Sequence, residues 1–200
     1  MQKKEKKINI FFFTANRAEY GLIFPFIKKL SKNKKFNIHL IVSGSHLDKN
    51  LGYSFNEIKL DKILKIQKIN IPLKTNSSLD ASNYFNLIQK KTNQIFKDKK
   101  IDIVFLSSDR FETFAFAISS YLNKIPIAHY EGGDITEGGT LDDNIRHAIS
   151  KIANIHFTTN NDSKLRLIKM GEEKWRVKNI GFTIGDHIKK KTFTMSLIQN

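Results

Sequence analysis

The residues able to do chemistry fall in four polar clusters, and each cluster follows a short apolar run. Thr14-Ala15-Asn16-Arg17-Ala18-Glu19-Tyr20-Gly21 follows the first run, and Ser43-Gly44-Ser45-His46-Leu47 the second. Ser107-Ser108-Asp109-Arg110 follows residues 101–106, and His129-Tyr130-Glu131-Gly132-Gly133-Asp134 ends the run 125–129. Arginine is the most informative residue type. Only Arg17, Arg110, Arg146, Arg166 and Arg176 stand among 34 basic residues. A chain that defaults to lysine uses arginine where a planar, permanently charged fork is needed. Arg17 and Arg110 each lie between a strand and a helix. There a guanidinium can grip a phosphate with paired hydrogen bonds, helped by a helix N-terminus. The alternative for both is a surface ion pair.

Asp109, Glu131, Asp142 and Asp143 supply carboxylates. Asp109 is placed to cap the next helix, a role compatible with catalysis, and one of Asp142 and Asp143 is expected to cap a helix beginning at Asn144. Glu131 ends a strand, and the following Gly132 and Gly133 let backbone approach a ligand closely. Convergent carboxylates raise one another's pKa, which equips one as acid and another as base. His46, His129 and His147 sit in or beside these clusters. Their spacing matches no local metal-ligand pattern, so hydrogen bonds to a sugar or phosphate are expected instead. His39 and His156 are expected to be packing residues.

The elements that must position these groups alternate. Strands are expected at residues 8–14, 36–42, 101–106, 125–129, 155–158 and 177–180, with a weaker one within 61–71 that ends at Pro72. Helices are expected at residues 20–31, 48–58, 79–96, 111–122, 144–153 and 163–170, with a glycine-rich loop over 131–140. Continuous apolar strands joined by helices imply right-handed crossovers and a parallel sheet covered on both faces. The polar clusters then share the C-terminal edge of that sheet, where open α/β sheets bind ligands. No G-x-G-x-x-G follows the first strand, and there is no Walker A loop, which disfavours a nicotinamide dehydrogenase or a P-loop enzyme.

Composition limits the alternatives. The chain has 200 residues, 40% of them hydrophobic, and no cysteine. Disulfide scaffolds, zinc ribbons and cysteine nucleophiles are excluded. No apolar run approaches the ~18 residues of a membrane span. The basic start, Met1-Gln2-Lys3-Lys4-Glu5-Lys6-Lys7, lacks the apolar core and cleavage site of a signal peptide, so a cytoplasmic location is expected. The formal charge of +15 raises nucleic acid as a partner. Lysines spread along the whole chain argue instead for solvated faces and no specific nucleic-acid or membrane partner.

Taken together, Asn16-Arg17-Ala18-Glu19-Tyr20, Gly44-Ser45-His46-Leu47, Asp109-Arg110-Phe111-Glu112, His129 to Asp134 and Asp142 to Lys151 resemble the UDP-N-acetylglucosamine 2-epimerases, best the hydrolysing branch. That branch makes N-acetylmannosamine or a close analogue for sialic, legionaminic and related acids. The resemblance runs over residues 8–181. It implies an α/β, Rossmann-like domain over residues 1–181, the N-terminal half of a GT-B fold, with residues 182–200 beginning an interdomain segment and the second domain absent. It further implies a homo-oligomer in the full-length family and a route needing neither metal nor redox cofactor. The nucleoside diphosphate is eliminated across C1 and C2 of the sugar, and water then adds to the resulting glycal. Asp109, Glu131 and Asp143 fit the proton and charge work, Arg17 and Arg110 the departing diphosphate, and Arg146 the orientation of a carboxylate. His46, His129, Gly132, Gly133, Arg146 and His147 complete the expected substrate-binding set. Many relatives have His-Gly where this chain has Ser107-Ser108, and the 135–140 loop is longer than in animal relatives. The sugar and nucleotide therefore stay open between UDP-N-acetylglucosamine, a GDP analogue and a diacetamido sugar. One domain alone is expected to be incomplete as a catalyst; the alternative is a non-catalytic nucleotide-sugar-binding or structural module.

Overall fold

The computed structural model describes residues 6–61, 65–72 and 77–183. The interdomain segment expected from residue 182 onward lies, beyond Thr183, outside the described residues.

Seven strands, β1 (Ile8–Thr14), β2 (Phe36–Val42), β3 (Lys65–Lys68), β4 (Ile103–Ser107), β5 (Ile127–Tyr130), β6 (Ile155–Thr158) and β7 (Val177–Asn179), form one sheet in the order β3-β2-β1-β4-β5-β6-β7. Every pairing is parallel. The connecting helices are α1 (Arg17–Leu30), α2 (Phe55–Leu60), α3 (Ser78–Lys97), α4 (Phe111–Leu122), α5 (Thr140–Ile152) and α6 (Asn161–Lys169). The chain first builds outward from β1 to β3 and then restarts on the other side of β1 with β4. The carboxyl ends of β1 and β4 therefore flank the point where strand order reverses, the usual crevice of a Rossmann-like sheet.

Two apolar layers hold the sheet. Phe11, Phe13, Val104, Leu106 and Ile127 face α3, α4 and α5, with Phe13 stacked on Phe116 at 4.5 Å between ring centroids. Ile10, Phe12, Leu40, Val42 and Phe105 face α1 and α2. This follows from strand alternation within fully apolar runs. Cover on the second face is incomplete. Past β1 it gives way to an open cleft of about 810 Å³ against Ile103, Phe105, Ala128, Ile155 and Phe157, rimmed by Lys28, Lys29 and Lys32. The expectation of a sheet covered on both faces thus holds only for part of its width among the described residues.

Three local expectations are corrected. In place of the helix expected at 48–58 stand the 3-10 turn Lys49–Leu51 and the short α2, preceded by another 3-10 turn, Gly44–Leu47. The Asp48 side chain folds back on the Asn50 N–H, and left-handed Gly52 and Tyr53 stop the helix from starting sooner. Helix α5 begins at Thr140 rather than Asn144, so Asp142 and Asp143 lie in its first turn and neither is its cap; Gly139 takes that place. Acidic side chains there still favour the helix dipole. Asp109 does not cap α4 either. Arg110 stands at the cap position without a side-chain cap bond, because Asp109 turns to Arg146.

Candidate active site

The four polar clusters do converge on the carboxyl edge of the sheet, and Arg146 of α5 joins two of the expected carboxylates. Its Nη2 donates to Asp109, and its Nη1 donates to Asp143 Oδ1 at 2.7 Å and to the Asp134 carbonyl at 2.8 Å. Thr136 Oγ1 is a further acceptor at 3.3 Å. Asp143 in turn accepts from the Thr136 N–H at 3.0 Å, so the carboxylate that fails to cap α5 instead closes the 131–140 loop. The Arg146 side chain is only 8% exposed and is occupied by protein acceptors. A buried guanidinium must be paired, and these acceptors are what the expectation that Arg146 orients a carboxylate calls for.

Glu131 lies at the adjacent strand end. Its Oε2 accepts from Ser107 Oγ at 3.0 Å, joining the ends of β4 and β5, whose last residues Ser107 and Tyr130 are in register. Loss of water pushes its carboxyl up to about 7; the Ser107 hydrogen bond opposes this, Asp134 and Asp109 add to it, and Arg146 opposes it. A carboxyl near neutrality is able both to give and to take a proton. Glu131 (φ 65°) and Ser108 (φ 83°) also hold left-handed backbone without being glycine. Such conformations cost about 1–3 kcal/mol each and gather at functional sites. Here both occur at neighbouring strand ends, beside Asp109.

The glycines after Glu131 serve the protein's own packing. A Cβ on Gly132 would meet His129 Nδ1 and Ser150 Oγ, each at 3.1 Å; on Gly133 (φ 81°) it would lie 2.4 Å from the Ser163 carbonyl. The absence of a side chain at both is what allows their close approach to α5 and α6. Arg166 donates to the Gly133 carbonyl, which ties the loop down.

The expected phosphate cations are available. Arg17, 76% exposed, meets Glu57 at 3.2 Å, and Arg110 meets Glu112 at 3.3 Å. Arg17 thus makes the surface ion pair that was its alternative reading, yet exposed pairs of this kind are weak and exchangeable. His46 and His129 do not present themselves to solvent. His46, fully buried, hydrogen-bonds Thr14 Oγ1 at 2.9 Å and Ser54 Oγ at 2.7 Å, and burial lowers its pKa to about 4. His129, also fully buried, meets Ser150 Oγ at 3.1 Å, and burial, then the neighbouring His156, lower it to about 3. Both are neutral supports beneath the edge rather than direct contacts. His147, on α5, is partly buried and its pKa is lowered by burial, with Asp143 opposing. His39 stacks on Phe11, and His156 pairs with the buried Glu172, as packing residues do. Among the described residues no group of three or more His, Asp or Glu is arranged to hold a metal ion.

Several residues outside the expected site set also take part. Ser107, Asp134, Thr136, Glu19, Glu112 and Thr113 all join the edge network. The Asn16-x-x-Glu19 spacing of a capping box was a legible signal for Glu19. The large apolar cleft on the sheet face is a different place: among the described residues its charged lining groups are lysines, with no carboxylate.

A family profile described as UDP-N-acetylglucosamine 2-epimerase matches residues 28–199. The chain is 34% identical over 188 residues to the "GDP/UDP-N,N'-diacetylbacillosamine 2-epimerase (hydrolyzing)" of Campylobacter jejuni, covering 94% of this chain and 48% of that protein. It is 34% identical over 174 residues to the "UDP-N,N'-diacetylbacillosamine 2-epimerase (hydrolyzing)" of Legionella pneumophila, covering 86% and 45%. The chain therefore spans about half the length of these relatives. Its fold superimposes with a TM-score of 0.81 on the UDP-GlcNAc 2-epimerase of Neisseria meningitidis solved bound to UDP-GlcNAc, at 22% identity, covering 96% of this chain and 52% of that one. That likeness places the sheet as one Rossmann-like half of a GT-B fold. With the profile match over most of its length, the chain belongs to the UDP-N-acetylglucosamine 2-epimerase family.

Proposed function

We propose that this chain forms the acid–base half of a hydrolysing nucleotide-sugar 2-epimerase. Its substrate is a UDP-linked 2-acetamido sugar, and the products are the free 2-epimer and the nucleoside diphosphate. The two relatives at 34% identity support a diacetamido sugar of the bacillosamine type, with UDP-N-acetylglucosamine as the second candidate. The observation that carries this reading is the strand-end cluster itself: Arg146 gathers Asp109 and Asp143, while Glu131, raised toward neutrality, sits beside them.

The chemistry follows from that division. The C2 hydrogen of a nucleotide sugar is not beside a carbonyl, so it leaves together with the diphosphate through an oxocarbenium-like state. Glu131 is the group poised to accept or return a proton. Asp109 and Asp143, held by Arg146, supply negative charge near positive charge at C1. Arg17 exchanges its exposed glutamate partner for diphosphate oxygens as the leaving group departs, and Arg110 adds them while its Nε keeps the buried Glu112. His46, His129, Gly132 and Gly133 hold the backbone that presents these groups, and His147 lines the approach. As part of the same reading the protein works in the cytoplasm, feeds synthesis of sialic- or legionaminic-type acids, and is a homo-oligomer at full length.

In a protein carrying both halves, Asp109→Asn, Glu131→Gln and Asp143→Asn should each lower turnover far more than substrate binding. Near-normal release of UDP by all three variants would refute the assignment. This chain alone should bind UDP weakly and yield no sustained 2-epimer product from UDP-N-acetylglucosamine or the diacetamido sugar by NMR, because one wall of the site leaves the diphosphate solvated. Repeated turnover by the purified chain would show that one half suffices.

A further inference from the structure

Glu19 is 2% exposed, and none of the roles above uses it. Its Oε2 accepts from the Ala15 N–H at 2.6 Å and the Asn16 N–H at 3.3 Å, within the β1–α1 turn. Its Oε1 accepts from Thr113 Oγ1 at 2.9 Å, in the first turn of α4. The first set completes a capping box with Asn16, whose side chain accepts from the Glu19 N–H at 3.0 Å. A capping box needs neither burial nor a partner on another helix. Burying a carboxylate costs stability unless its hydrogen bonds are filled, and here they are filled from two separate strand-end turns. Desolvation pushes the carboxyl up to about 7, with Glu112 adding to the rise and the Ala15 and Thr113 bonds opposing it. Glu112 is itself buried, 1% exposed, and pairs with Arg110.

The two turns so joined carry the two exposed cations. Arg17 opens α1 two residues before Glu19, and Arg110 stands at the N-cap of α4 three residues before Thr113. They lie at the ends of β1 and β4, on either side of the switch in strand order. We infer that Glu19 is a positioning residue: its carboxylate, bonded at once to the β1–α1 turn and to Thr113, sets the spacing of Arg17 and Arg110. This rests on the reading that those arginines hold a diphosphate. It adds that their separation is fixed by a group that never touches the ligand.

Thr113→Val cuts the link on the α4 side and leaves the capping bonds in place. Thr113→Ser keeps the hydroxyl. Calorimetry with UDP on this chain should show affinity falling about tenfold in Thr113→Val, the low end for a hydrogen bond to a charged group, and recovering in Thr113→Ser. Amide hydrogen exchange should quicken at Ala15 and Asn16 in Thr113→Val as well as in Glu19→Ala, which removes the acceptor that both N–H groups share. Wild-type UDP affinity in Thr113→Val, with Ala15 and Asn16 exchange unaltered, would overturn the proposal. Should the unaltered chain fail to bind UDP at all, the diphosphate reading fails separately. The exchange rates then still decide whether Glu19 couples the turns.

Discussion

Two regions of the same sheet edge use arginine in opposite ways. Arg146 is 8% exposed, and its guanidinium is shared among Asp109, Asp143, the Asp134 carbonyl and Thr136. Arg17 is 76% exposed and meets one partly exposed glutamate. A buried guanidinium with its acceptors in place cannot release them without leaving charge stranded in low dielectric. An exposed one loses little by changing partners, since such surface pairs are worth about 0–1 kcal/mol. The difference separates two jobs that residue type alone does not distinguish: building a carboxylate cluster and, on the proposed reading, meeting an incoming anion.

The sharpest way to break this comparison is to remove the buried member. Arg146→Ala should destabilise the chain by about 3 kcal/mol, because Asp109 and Asp143 are left facing each other without a cation. Arg146→Lys should recover only part of that loss, since a lysine lacks the fork that reaches both carboxylates. Thermal unfolding checks both. A melting point for Arg146→Ala equal to that of the unaltered chain would mean that the cluster does not hold the edge together.

The exposed members should show the reverse pattern. Arg110→Ala and Arg17→Ala should each weaken UDP binding by about 1.5–3 kcal/mol, the range of a hydrogen bond to a charged group. Arg17→Ala should leave stability within about 0.5 kcal/mol, as expected at an exposed site. Calorimetry and thermal unfolding read the two quantities separately.

A smaller effect concerns pH. His46 and His129 are buried neutral, with pKa values lowered by burial from 6.5 to about 4 and about 3. The unfolded chain binds their protons more readily, so stability rises with pH up to about 6.5. Glu19 and Glu131 shift the other way, from 4.5 up to about 7. The folded chain holds their protons more tightly, so they add stability at low pH that is lost as pH rises through 7. The two pairs nearly offset each other around pH 5–6, and stability declines from about pH 6 to about 7.5, where the histidine contribution fades and the carboxyls lose their protons. Glu131→Gln should flatten that decline, measured as melting temperature against pH. An unchanged slope between pH 6 and 8 would contradict the raised carboxyl.

Much of this was legible in the sequence, for a physical reason. A parallel sheet buried on both faces needs continuous apolar runs, so Ile8–Thr14, Phe36–Val42 and Ile155–Thr158 stand out with their observed ends. Polar residues that follow such runs must lie at one edge, which placed Asp109, Arg110 and Glu131 together. What stayed hidden depends on side-chain direction. Asp109 has the residue type and position of a cap, and the arrival of Arg146 from α5 draws it elsewhere; Asp143 misses the cap because α5 starts earlier, at Thr140. That Gly132 and Gly133 also serve packing against Ser150 and Ser163 was not visible in the sequence, since those contacts come from α5 and α6. Glu19 was in view only as part of a motif, because its second partner, Thr113, is 94 residues away.

On the proposed reading the strand-end edge, and not the apolar cleft, receives the nucleotide sugar. Titrating UDP into isotope-labelled protein and following backbone amides by NMR tests it most directly. The expected perturbations fall on residues 14–19, 107–112 and 131–134, and they shrink together in Arg17→Ala and Arg110→Ala. Shifts concentrated instead around Phe105, Ala128 and Phe157, and indifferent to both arginines, would contradict it.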